Sequence, residues 1–153
     1  MGFSVCAHAA APRQIPAIPH PYGLPHAQAF LRARLEQPSS GPPAWFAIRS
    51  AAGDLCGNID LQLDGSGSGE LGYWLAADLW GRGIMSTVIP CFLDYARSEL
   101  RLKRMTASAL CSNAASLRLL RRNGFRSLGV EVGLAQTRQG PRDVELFELR
   151  CEP

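Results

Sequence analysis

The sequence predicts one α/β domain built around a strand, a glycine turn and a helix, and three observations lead there. Glu70-Leu-Gly-Tyr-Trp-Leu-Ala76 reads as a short apolar strand, the turn Trp80-Gly-Arg-Gly-Ile-Met-Ser-Thr87 follows, and a helix runs on to about Leu100. A second strand near Arg104–Leu110 precedes a helix that Asn113 opens and Asn123-Gly124-Phe125 closes. Alternation in Leu55–Leu63 and Val144–Arg150 adds flanking strands.

Taken in order, the chain begins with an alanine- and proline-rich segment, residues 1–24, that reads as irregular. Pro12, Pro16, Pro19, Pro21 and Pro25 prevent a regular helix or an interior strand, although Val5–Ala11 leaves room for one helical turn. A helix is expected from about Pro25 to Glu36, with Ala29, Phe30, Ala33 and Leu35 on its inner face. Ser39-Ser-Gly-Pro-Pro43 is a turn cluster, and the core, residues 44–150, follows it. Trp45–Arg49 reads as a strand joined through the hairpin Ala51-Ala-Gly-Asp54 to Leu55–Leu63, where Ile59, Leu61 and Leu63 share one side. Asp64-Gly-Ser-Gly-Ser-Gly69 is expected to be a plain loop, too polar and glycine-rich to order on its own.

Pro90 falls inside the helix after the glycine turn, where it removes the bond to residue 86. A kink costing ~3 kcal/mol is expected there. The later helix is capped by Ser112 or Asn113, turns Leu117 and Leu120 inward, and stops left-handed at Asn123-Gly124.

Bulk properties narrow the function. At 153 residues, 46% hydrophobic and 19% charged, the chain fits one globular domain, residues 1–153. A net charge of +3 with scattered basic residues does not imply a nucleic-acid partner. No apolar run is long enough for a membrane span, and the first residues lack the pattern of a secretion signal. Five dispersed cysteines, Cys6, Cys56, Cys91, Cys111 and Cys151, read as free thiols of a cytoplasmic protein. His8, His20 and His26 form no metal-ligand spacing, so no metal site is expected.

A glycine turn entering a helix points backbone N–H groups outward at the positive end of the helix dipole, which suits phosphate. A nucleotide P-loop fails, because the only lysine is Lys103, far from the turn. The dinucleotide fingerprint begins at Gly81 and Gly83 but has Ser86 at its third glycine. Glu70–Phe125 as a whole resembles the GNAT superfamily of acetyl-CoA-dependent N-acetyltransferases, in particular its ribosomal-protein-alanine (Rim-like) branch. The family's Gln/Arg-x-x-Gly-x-Gly/Ala pattern falls on Trp80, Gly83 and Met85, of which Gly83 alone matches as written. Asn113-Ala-Ala-Ser116 and Asn123-Gly-Phe125 also match that branch, and the likeness extends from about Pro19 to Leu128.

The resemblance implies a mixed, mainly antiparallel sheet with a central parallel splay and helices on both faces. The family's first strand and first helix do not both fit before Pro25, so the expectation is a misplaced gene start or a lost first strand. The resemblance also implies acetyl-CoA as co-substrate and a primary amine as acceptor, either a protein N-terminus or a small amine. The implied cofactor-binding residues are Trp74, Leu75, Trp80, Gly81, Arg82, Gly83, Ile84, Met85, Ser86, Thr87, Asn113 and Ser116. The pantetheine arm is implied to lie between Leu71–Ala76 and Met105–Leu110, with a backbone N–H near Leu75 as oxyanion donor.

Acetyl transfer needs a neutral amine, a donor for the oxyanion and a proton for the leaving thiolate. Glu70, at the entry of the central strand, is the first choice for base, and Asp60, one strand earlier, the second. The family's tyrosine acid is replaced by Leu120, and the resemblance implies Ser116 as its substitute. Two rival functions are open: a non-catalytic coenzyme A-binding module, and an RNA- or ribosome-contacting protein using Arg118, Arg121, Arg122 and Arg126. Loss of the first strand would leave Trp45–Arg49 at a sheet edge and favour a homodimer.

Overall fold

A computed structural model describes residues 3–5, 42, 44–137 and 140–151. The strands are β1 (Phe3–Val5), β2 (Trp45–Arg49), β3 (Leu55–Leu63), β4 (Ser68–Ala76), β5 (Arg104–Leu110), β6 (Arg126–Thr137) and β7 (Gly140–Arg150). The helices are α1 (Ile84–Ser98) and α2 (Ala114–Arg122), with a single 3₁₀ turn at Ala77–Leu79. The sheet order is β2-β3-β4-β5-β7-β6, with β1 paired to β4 off that path. Among the described strands only β4 and β5 run parallel, and the other pairs are antiparallel.

Alternation sorts the side chains between two faces. Ile59 and Leu61 of β3, Leu71, Tyr73 and Leu75 of β4, Met105 and Ala107 of β5, and Phe147 of β7 join one core cluster. Met85, Ile89, Phe92 and Leu93 of α1 and Leu117 and Leu120 of α2 belong to the same cluster. Both described helices therefore cover one face of the sheet. The helix expected at Pro25–Glu36 lies outside the described residues. The opposite face is lined by Asn58 and Asp60, both buried, with Glu70 and Ser108 beside them. Burying carboxylates on a sheet face requires hydrogen-bond partners there.

Several boundaries match expectation to the residue: β2, β3 and β5. Three features do not. First, Phe3–Val5 form a strand, β1, in the segment expected to be irregular; beyond Val5 the possible helical turn Val5–Ala11 lies outside the described residues. Second, the loop at 64–69 is ordered by Asp64, whose carboxylate accepts from the backbone N–H groups of Ser66 and Ser68 and the Ser66 hydroxyl. Those bonds, that from the Ser66 N–H first, hold the Asp64 carboxyl below the usual carboxylate range. Third, β6 was not expected. It forms the sheet's far edge and exposes Leu128, Val130, Val132 and Leu134.

Helix α1 runs through Pro90 without interruption, with Ile89 fully buried and Pro90 exposed. Pro90 is the seventh residue of the helix, beyond the first turn where a missing N–H costs nothing. Pro90→Ala restores one helical hydrogen bond on a solvent-facing position. We expect it to raise unfolding stability by about 1–3 kcal/mol in a urea titration, with an unchanged slope.

Candidate active site

The glycine turn is built by backbone geometry. Gly81 (φ 73°) and Gly83 (φ 77°) are both left-handed, a region that costs side-chain-bearing residues energy. The Trp80 indole N–H donates to the Leu75 carbonyl at 2.9 Å, tying the turn back to β4. Gly83 is the N-cap of α1 and supplies no side chain to the first N–H groups of the helix. A Cβ placed at Gly81 or Gly83 would meet no atom within 4 Å, so the backbone there faces open space. A 15-residue helix with an uncapped start beside open space is a site fitted to an anion.

That space is a cleft of about 360 Å³. It is walled by Tyr73, Trp74 and Leu75 of β4, by Gly81, Gly83 and Ile84–Ser86, and by Asn113, Ser116, Arg118 and Arg122 around α2. A smaller hollow of about 140 Å³ continues past Ser86, Leu119 and Arg122 to Pro90 and Asn123. Arg118 and Arg122 lie one helical turn apart, so both reach the same wall. Arg121 points elsewhere: its guanidinium bonds both Glu145 oxygens, at 2.7 and 2.8 Å, and lies over the Phe147 ring.

The second feature is the splay. β4 and β5 pair from Ser68↔Arg104 to Leu71↔Ala107 and then part, although both strands continue. β3 pairs with β4 as far as Leu75, so only the β5 side of β4 is freed. Along that side β1 pairs antiparallel with Trp74, Leu75 and Ala76. The expected course of a pantetheine arm along this edge is therefore met by Phe3–Val5, a strand that the sequence reading did not provide.

The candidate bases sit on the face away from the helices. Glu70 is half-buried below the point where the strands part, and the Ser108 hydroxyl donates to its Oε1 at 3.3 Å. Asp60 is 4% exposed; Asn58 Nδ2 donates to its Oδ1 at 2.8 Å, and its cross-strand partner is Gly72. With no side chain at Gly72, nothing on β4 stands directly across from Asp60. Ser116, in contrast, is buried on the helix face, where its Oγ shares a 2.7 Å hydrogen bond with the Tyr73 hydroxyl. Glu70 and Ser116 are thus not brought into contact. They lie on opposite faces of the sheet, on either side of the place where β4 and β5 stop pairing.

Of the residues expected to hold a cofactor, Trp74, Leu75, Trp80, Gly81, Gly83, Ile84, Met85, Ser86, Asn113 and Ser116 line the cleft. Arg82 and Thr87 do not; Thr87 turns its backbone N–H, at 3.2 Å, and its hydroxyl, at 3.4 Å, to the Gly83 carbonyl. Asn113 caps α2 by accepting from the Ser116 N–H at 3.2 Å. Leu120 is fully buried in the core. Cys111, beside the start of α2, is exposed. Local desolvation, then the Asp143 and Glu145 carboxylates, hold its thiol above the usual range, so it offers no ready thiolate. Tyr73 was missed as a site residue. Its alternation with Leu71 and Leu75 was the available signal, since it places the hydroxyl on the helix face.

Comparison with known proteins agrees with this geometry. A family model described as an acetyltransferase (GNAT) domain matches residues 3–126. A candidate ribosomal N-acetyltransferase, YdaF of Bacillus subtilis (strain 168), is 37% identical over 79 residues, covering 50% of this chain and 43% of that protein. From the same organism, a protein named probable N-acetyltransferase YjcK is 37% identical over 89 residues, 56% of this chain and 49% of its own. The matched region thus spans about half the length of these relatives. In fold, the chain superposes on a point mutant of the spermidine N-acetyltransferase SpeG from Vibrio cholerae. The TM-score is 0.72 at 20% identity, over 85% of this chain and 76% of that one. With the glycine turn, the parting strands and the matched model in agreement, the chain belongs to the GNAT acetyltransferase domain family.

Proposed function

We propose that this protein binds acetyl-CoA and moves the acetyl group directly to a primary amine. The observation that carries the reading is one cleft running from an uncapped helix start to the stretch of β4 that lies beyond its pairing with β5. The helix start and Gly83 suit the pyrophosphate, while Arg118 and Arg122 add positive charge farther along the same wall. An arm on the freed edge of β4 would take the place that β1 holds. In this reading β1 moves aside when acetyl-CoA binds.

Acetyl-CoA supplies an acetyl carbon that an amine can attack and a thiolate that leaves. Glu70 takes a proton from the amine, directly or through a water, from the face where it is half-buried. The Leu75 N–H stabilises the negative charge that develops on the acetyl oxygen. Ser116 stands at the cleft wall as the donor toward sulfur. Asp60 is the alternative base, since it shares Glu70's face and stands across from Gly72. A protein N-terminus or a small amine is the acceptor; YdaF is named as a ribosomal N-acetyltransferase and SpeG as a spermidine N-acetyltransferase. The site lies within a cytoplasmic enzyme in this reading. Among the described residues, no helix is long and apolar enough to cross a membrane.

Self-association is part of the proposal. Among the described strands, β2 lies at one sheet edge and β6 at the other. β6 carries the larger exposed apolar surface, with Val132 85% exposed. Edges of this kind pair with second copies. A homodimer is expected in light scattering at high concentration, and a clean monomer would remove this part.

Acetyl-CoA at millimolar excess should raise the melting temperature, and Gly83→Val should abolish that increase by filling the space the pyrophosphate needs. The readout is the ligand-induced shift, because valine at a left-handed position also lowers the unliganded value. Equal melting temperatures for the wild type with and without the ligand would end the reading, and with it the rival of a non-catalytic coenzyme A module. That outcome would leave the arginine-rich RNA-contacting alternative.

Turnover separates enzyme from binding module. The rate should rise with pH and level off once Glu70 is ionised in the working complex. Glu70→Gln should lower it by roughly 10²–10⁴-fold, with acetyl-CoA affinity barely changed. Part of the loss should return at high pH, where more amine is already neutral. Near-normal turnover in Glu70→Gln together with loss in Asp60→Asn would move the base to β3.

A further inference from the structure

The leaving thiolate needs a proton, and the position expected to provide it holds Leu120, a fully buried core side chain. Ser116 is nearby but is a poor acid by itself. We propose that Tyr73 of β4 and Ser116 of α2 act as a two-hydroxyl relay, in which Tyr73 aims the Ser116 hydroxyl and replaces the proton that it gives up. This rests on the acetyl-transfer reading above and names a residue that the reading did not use.

Four observations support the pair. The two oxygens are 2.7 Å apart, a full-strength O–H···O separation. Tyr73 is 7% and Ser116 3% exposed, so the bond forms away from bulk water, where it is stronger. Both residues line the cleft that the thioester arm would enter. Finally, the bond joins the splayed strand to the first turn of the helix whose start Asn113 caps, so it bridges two walls of the site.

The chemistry balances. As the amine nitrogen bonds to the acetyl carbon and the C–S bond breaks, the electron pair passes to sulfur. Ser116 Oγ–H gives its proton to that sulfur and takes the Tyr73 proton in the same motion. Tyr73 is then reprotonated from water, which receives, through Glu70, the proton lost by nitrogen. A phenol of ordinary pKa about 10 is close to the thiol's about 8.5, whereas an alkyl hydroxyl is far above both. The tyrosine is therefore the acid of the pair, and Ser116 is the group that touches sulfur. Tyr73 acts through Ser116 and is a positioning residue.

The test uses the full chain, acetyl-CoA and a panel of primary amines, reading thiol release. Tyr73→Phe keeps the ring that fills the core and removes only the hydroxyl, and Ser116→Ala makes the matching change from the helix side. Each is expected to lower kcat about tenfold, less than a base loss because the thiolate leaves readily, with KM for acetyl-CoA within about twofold of the wild type. The double variant should be no slower than the slower single one, since either change breaks the same relay. Unchanged kcat in Tyr73→Phe, a loss confined to KM, or losses that multiply in the double variant would each overturn the relay while leaving acetyl transfer intact. A wild type that binds acetyl-CoA and releases thiol with no amine would overturn both.

Discussion

β4 and β5 are hydrogen-bonded over the four pairs from Ser68↔Arg104 to Leu71↔Ala107 and then part, and the organisation of the site follows from that parting. A sheet that stops pairing leaves N–H and C=O groups on both edges, which must be satisfied by something else. β4 keeps β3 on its other side up to Leu75, so it stays rigid while its freed edge is offered. β5 is held likewise by β7 from Arg104 to Leu110. The gap in pairing thus stands between two fixed strands, with the glycine turn on the helix side of the sheet and the carboxylates of Asp60 and Glu70 on the other. In this structure Phe3–Val5 satisfies the freed edge of β4.

Charge is divided by the same sheet. On the helix side, the start of α1 and the guanidinium groups of Arg118 and Arg122 favour an anionic ligand. Arg121 is spent on Glu145, whose side chain is only 10% exposed, so this pair ties α2 to β7 instead of adding to the site. On the other side lie Asp60 and Glu70, while Glu148 is engaged by Arg104 and Arg150. Those two guanidinium groups, Arg104 first, hold the Glu148 carboxyl below the usual range, so it is not a base for an amine. An anion on one face and a cationic amine on the other would each meet a complementary field.

Much of this was legible in the sequence where local rules and packing agree. The glycine turn, the Asn113 cap and the strands β2, β3 and β5 follow from turn chemistry and period-two alternation, and all appear where expected. β6 was missed for a physical reason. Leu128, Val130, Val132 and Leu134 do alternate, but Gly129 and Gly133 interrupt them, and those glycines mark register shifts against β7. β1 could not be read at all, because three residues without periodicity become a strand only through the edge that β4 offers. Tyr73 was legible as core but not as site: its partner lies 43 residues away on another element, a pairing that spacing alone does not reveal.

Acetyl transfer by this chain requires that the glycine turn and the splay form one binding surface. The most direct test is an amide-resolved NMR titration of the full chain with acetyl-CoA. The largest shifts should fall on Gly81–Ser86, on Trp74–Ala76 as β1 is exchanged for the ligand, and on Asn113–Leu119. Shifts confined to β6 and β7, or none at saturating ligand, would contradict it.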